Sequence, residues 1–140
     1  MIRVDTREQE NEHITSWFYK HGIEYENIKP LIIGDYMNTD NPNVYLERKN
    51  SWLEFAGNCG KAHDRFKREL ERLDQTGGKM YILIEEMKPL AEWQNKRTKM
   101  TGAIMQKIID RWKEQHNIEF AQCMWFESAE KIYELLGGNK

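Results

Sequence analysis

The apolar positions of the chain recur at two spacings. Period-two alternation or short apolar runs mark strands at Ile2 to Thr6, Ile23 to Ile28, Leu31 to Tyr36, Val44 to Lys49, Met80 to Ile84 and Ile118 to Trp125. Spacings of three and four mark helices. One runs through Ile14, Trp17, Phe18 and His21, one from His63 to Gln75 on Phe66, Leu70 and Leu73, one from Thr101 through Ile104, Met105, Ile108, Ile109 and Trp112, and one on Ile132, Tyr133, Leu135 and Leu136. Ser51 is placed to cap a further short helix holding Trp52 and Phe55, and Ser128 to cap the last one. Lys88 to Lys99 predicts a short helix followed by a basic loop. The order β-α-β-β-β-α-β-α-β-α gives an α/β class, a mixed sheet with helices on its faces, and the Met80 to Ile84 run predicts a central strand covered on both sides.

Chemistry concentrates in Val44-Tyr45-Leu46-Glu47-Arg48-Lys49. Alternation puts Glu47 and Lys49 on one face and Leu46 and Arg48 on the other. Upstream, an apolar run ends on Asp35, and Asn38, Asp40, Asn41, Pro42 and Asn43 read as a turn, so a hairpin brings Asp35 alongside Glu47. Two carboxylates and an ammonium in one place suit metal-assisted phosphodiester hydrolysis. The bland alternative is a surface Glu-Lys pair on a half-buried strand. Asp5 and Thr6 likewise read as helix caps, and Glu69, Glu71 and Arg72 as a solvated helix face.

Composition narrows the picture. The 140 residues, 39% hydrophobic and 31% charged, fit one globular domain spanning residues 1–140, with no run of membrane-span length and no signal-peptide core, so the expected compartment is the cytoplasm. Cys59 and Cys123 lack zinc or disulfide spacing and read as reduced thiols. The net charge of −2 does not suggest a nucleic-acid partner, but its distribution does: Lys61, His63, Arg65, Lys67, Arg68 and Arg72 cluster, as do Lys96, Arg97 and Lys99. Cations at a helix start oppose the helix dipole, and a phosphate partner accounts for them. Nucleotide-binding glycine motifs and a serine-hydrolase elbow are absent from the sequence.

Val4-Asp5-Thr6-Arg7-Glu8, Gly34-Asp35-Tyr36, Glu47-Arg48-Lys49, Arg65-Phe66 with Arg68-Glu69-Leu70, and Tyr81-Ile82-Leu83-Ile84-Glu85 occur in the order found in XPF-type structure-selective endonucleases, of the PD-(D/E)XK superfamily, and the chain resembles their nuclease domain from Met1 to about Glu86. The resemblance implies a restriction-endonuclease-like fold and a Mg²⁺- or Mn²⁺-dependent cut in branched or flapped DNA. It implies Asp35, Glu47 and Glu8 as metal ligands with the Arg48 carbonyl, Lys49 as the water-orienting cation, and Asp5 and Glu8 as further acids of the catalytic set. Arg7, Arg65, Lys61, Lys67 and Arg68 would meet the DNA. Two departures stand out: the acid usual four residues after the motif lysine is Leu53, with Glu54 one later, and no tandem helix-hairpin-helix module follows. A compact version of this kind resembles those of prokaryotes and phages, and substrate choice falls to this domain, a second copy or a partner protein.

Two rival readings remain at this level. One is a catalytically silent DNA-binding or scaffold module of the same fold. The other is an interaction protein using exposed aromatics such as Trp93 or Trp125. The face from Ile104 to Trp112 reads as core or as a contact between copies.

Overall fold

The computed structural model describes residues 1–28, 31, 33–97 and 99–138. Its strands are β1 (Ile2–Asp5), β2 (Tyr25–Ile28), β3 (Tyr36–Asn38), β4 (Asn41–Lys49), β5 (Lys79–Ile84) and β6 (Ile118–Gln122). The helices are α1 (Glu12–Lys20), α2 (Trp52–Cys59), α3 (His63–Thr76), α4 (Gly102–Gln115) and α5 (Ser128–Leu135). One mixed sheet runs in the order β2-β1-β3-β4-β5-β6, with β3 antiparallel to both neighbours and the other pairs parallel.

Helices cover both faces because both are apolar. Met80, Ile82 and Ile84 of β5 join Trp52, Phe55, Phe66, Leu70, Met105 and Trp112 of α2, α3 and α4 in one core. Leu83, with Val4, Tyr36 and Leu46, joins Ile14, Phe18 and Ile132 of α1 and α5 in the other. The central strand expected at Met80 to Ile84 is thus β5, flanked by β4 and β6 and buried on both sides. Among the described residues no helix is long and apolar enough to cross a membrane.

Several expectations shift. The run ending on Asp35 is not a strand: Leu31 and Ile33 are buried but irregular, and β3 begins only at Tyr36, because Gly34 takes a left-handed φ of +70° that interrupts extended backbone. Ile32, with Pro30 before it, lies outside the described residues, as does Thr98 of the basic loop. The turn is shorter than the sequence implied. The Asn38 side chain accepts the Asp40 N–H at 3.0 Å, and β4 resumes at Asn41.

Ser51 caps α2 as expected, accepting the Glu54 N–H at 3.1 Å. Ser128 does not cap α5: it is fully buried and donates to the Glu85 carboxylate. Neither Asp5 nor Thr6 caps α1, whose N-cap is Asn11. β6 ends at Gln122, and Trp125–Glu127 forms a 3₁₀ turn, as does Leu90–Glu92. Trp93 is buried, which removes it from the exposed aromatics, whereas Trp125 is exposed. Both cysteines are buried free thiols, and burial pushes Cys59 up to about 12.

Candidate active site

The ends of β1 and β4, the bend before β3, and α3 enclose a recess. Gly34 makes the bend, and a Cβ there would lie 2.8 Å from the Leu46 carbonyl oxygen as well as at positive φ, so the turn that delivers Asp35 accepts glycine. Main-chain bonds then fix Asp35. Its N–H donates to the Leu46 carbonyl at 2.7 Å, its carbonyl accepts the Asp5 N–H at 2.9 Å, and its Oδ2 accepts the Arg48 N–H at 2.8 Å.

Tyr36 pairs with Leu46 across the β3–β4 ladder, which sets Asp35 beside Glu47. Glu47 and Lys49 share the sheet face of Ile82 and Ile84, their register partners on β5, and the Lys49 ammonium lies 3.0 Å from Glu47 Oε2. From α3, Arg65, Glu69 and Arg72 complete the lining, with Asn58 of α2 and Arg7 opposite. Their spacing of four and three puts Arg65, Glu69 and Arg72 on one helix face.

The electrostatics follow from crowding acids in a shielded place. Desolvation, then the charges of Glu47 and Glu8, push the Asp35 carboxyl well above the usual range, against the pull of the Arg48 N–H and Lys49. Desolvation and the Glu69 charge raise Glu47 to about 7, although Lys49 opposes them. Burial pulls Lys49 down, but Glu47 more than offsets it and the ammonium is held above its ordinary value. Asp5 behaves oppositely. The Arg7 guanidinium bonds both its oxygens, at 3.1 and 2.9 Å, and holds it below the usual range, while Oδ2 also accepts the Leu31 N–H at 2.9 Å.

The other face of β4 carries a second charged group. Arg48 is 7% exposed in its side chain, and donates to Glu8 at 2.6 Å, to Glu85 at 2.6 Å and to the Gln9 carbonyl at 2.7 Å. The second Glu85 oxygen meets Ser128 and, at 3.0 Å, His13.

The recess therefore gathers Asp5, Arg7, Asp35, Glu47, Lys49 and Arg65 from the residues singled out in the sequence. Glu8 and the Arg48 side chain stand outside its lining, on the far face of the sheet. Lys61 and Arg68 line a neighbouring shallow depression shared with Arg65, and Lys67 lines neither. Glu54 is occupied at the start of α2, accepting the Asn50 N–H at 2.7 Å.

Glu69 is a residue that sequence reasoning assigned to solvent. It is half-buried and accepts the Gly34 N–H at 2.8 Å. Its placement one turn from Arg65, beside the apolar Phe66 and Leu70 rather than opposite them, was the available signal.

The donor set suits a hard divalent cation. Asp35 and Glu47 offer oxygens, and burial first, then neighbouring carboxylates, raises the proton affinity of both. Among the described residues no three His, Cys, Asp or Glu side chains are placed to enclose an ion.

A mixed sheet between two helical layers, with Glu47 at the end of the interior strand β4 and Asp35 on the bend before β3, is an α/β fold shared with solved XPF structures. XPF from Aeropyrum pernix superimposes with a TM-score of 0.73 at 19% identity, covering 96% of this chain and 59% of that one. The XPF from Aeropyrum pernix in complex with DNA gives 0.72 at 20% identity, covering 96% and 62%. The chain thus spans about three fifths of the length of these relatives. The ERCC4 domain family model matches residues 4–133, and the chain belongs to that family. No curated protein sequence matches it.

Proposed function

We propose that this domain is a Mg²⁺- or Mn²⁺-dependent endodeoxyribonuclease that cuts branched or flapped duplex DNA in the cytoplasm of a prokaryote or a phage-infected cell. The observation that carries the reading is the convergence of Asp35, Glu47 and Lys49 in one recess rimmed by Arg7, Arg65 and Arg72. Membership of the ERCC4 domain family supports nuclease chemistry, and the DNA complex of a similar fold supports DNA as the partner.

Asp35 and Glu47 would hold the cation, which when bound supplies Lewis acidity toward water and the scissile phosphate. Asp35 presents its carboxylate from a backbone fixed by two hydrogen bonds, with Oδ2 held by the Arg48 N–H, so little reorganisation is needed. Lys49, held by Glu47, orients the attacking water or offsets charge on the phosphate. Arg65 and Arg7 reach the DNA backbone at the recess, and Lys61 and Arg68 extend the cationic path. Arg48 and Glu8 act from beneath, setting the strand that carries Glu47 and Lys49.

The test is turnover of flap, fork, four-way junction and linear duplex by purified protein, with Mg²⁺ or Mn²⁺ and with EDTA. Glu47→Gln and Lys49→Ala should abolish metal-dependent cutting while the circular dichroism spectrum stays that of the parent. Tight DNA binding with no turnover under any divalent ion would establish the silent binding module instead.

A further inference from the structure

Asp35 follows a bend made by Gly34 at a left-handed φ, and the bend is secured from two elements. Strand main chain holds Asp35 itself, through Leu46, Asp5 and Arg48. Gly34, at φ +70°, is held by the Glu69 side chain, whose Oε2 accepts its N–H at 2.8 Å. A carboxylate is a costly choice here. Its charge bears on Glu47 and raises that acid's proton affinity, whereas solvent or a neutral side chain would satisfy one N–H without that repulsion. What this acceptor adds is its origin, the helix that also presents Arg65 and Arg72 to the recess.

We infer that Glu69 is a positioning residue: it pins the Gly34-Asp35 turn to α3, so that one rigid helix sets both the acid and the DNA-facing arginines. This rests on the nuclease reading of the recess, and it extends that reading to a residue that acts through the Gly34 N–H. Because the role needs an acceptor and not a charge, Gln can fill it and Ala cannot.

The experiment compares Glu69→Ala, Glu69→Gln and the parent in two independent readouts. In amide hydrogen exchange followed by NMR, the Gly34 N–H should exchange at least about tenfold faster in Glu69→Ala and at the parent rate in Glu69→Gln. In Mg²⁺-dependent flap cleavage at about pH 8.5, where Glu47, at about 7, is ionised with or without the Glu69 charge, Glu69→Ala should lose at least about tenfold in kcat with KM within about threefold, and Glu69→Gln should rescue it to within about threefold of the parent. Unchanged Gly34 exchange in Glu69→Ala overturns the clamp. Faster exchange with undiminished kcat overturns its role in positioning Asp35, and equal kcat loss in both variants assigns the effect to charge and overturns the proposal. A Glu69→Ala protein that fails to fold leaves Glu69→Gln to decide, since lost Gly34 protection or lost kcat there is also contrary. A parent that cuts no substrate removes the nuclease reading, and the clamp is then decided by Gly34 exchange alone.

Discussion

Arg48 Nε lies 2.6 Å from Glu8 Oε2, and the two side chains are 7% and 9% exposed. The pair sits on the sheet face opposite Glu47 and Lys49, although Arg48 stands between them in sequence. The Glu8 charge nevertheless reaches through to Asp35 and Glu47, whose proton affinities it raises. The two faces of β4 are therefore electrostatically joined through Glu8.

Removing the Arg48 cation should be expensive. Arg48→Ala takes the guanidinium from buried Glu8 and from Glu85, which keeps Ser128 and His13, a change worth about 3–5 kcal/mol, or roughly 10–17 °C in Tm for a chain of this size. Differential scanning calorimetry checks it. A triple variant Glu8→Gln, Arg48→Met, Glu85→Gln should lose much less than the sum of its parts, since no orphaned charge remains.

The raised carboxylates predict an unusual pH slope. Glu47 has an ordinary value of 4.5 and a folded value of about 7. The folded state then binds its proton more tightly than the unfolded one, and stability falls as pH rises from about 4.5 to about 7, then levels. Asp35 contributes with the same sign. Thermal unfolding in EDTA between pH 5 and pH 8 should show this decline, and Glu47→Gln should flatten it even if its overall Tm differs.

A cation that neutralises these acids reverses the trend. Mn²⁺ at about 100 times its Kd should add roughly 2.7 kcal/mol. The gain should be larger at pH 8 than at pH 5, because protons compete for the same oxygens. Asp35→Asn should abolish most of it. A parent Tm insensitive to Mn²⁺ at pH 8 would remove Asp35 and Glu47 as a cation site.

Gly34→Ala tests the bend itself. Positive φ costs a β-carbon residue about 1–2 kcal/mol, and the added atom would press on the Leu46 carbonyl. Urea unfolding should show a loss of at least about 2 kcal/mol, and cleavage should fall because Asp35 moves with the turn.

Position should separate two cations of α3 that the sequence both assigned to DNA. Arg65 lines the recess and Lys67 does not. In DNA-binding titrations against salt, Arg65→Ala should reduce the slope of log K on log[salt] by about one, and Lys67→Ala by less. Equal effects would place the duplex along the outer face of α3 instead.

Sequence alone determined which residues share a face. Alternation along 44–49 put Glu47 with Lys49 and Arg48 away from them, the period of α3 set Phe66, Leu70 and Leu73 toward the core, and the order of motifs pointed to the family, because side-chain direction is a local property of helix and strand geometry. What lay beyond its reach were partners brought together by register and layer packing. That Arg48 meets Glu8 and Glu85, that Asp5 holds Arg7 and Leu31 instead of capping a helix, that Ser128 serves Glu85, and that Glu69 reaches Gly34 all depend on where separate elements come to rest. Only the folded sheet decides those distances. Likewise, a carboxylate's proton affinity follows from its neighbours and its access to water, and neither exists until the chain has closed around it.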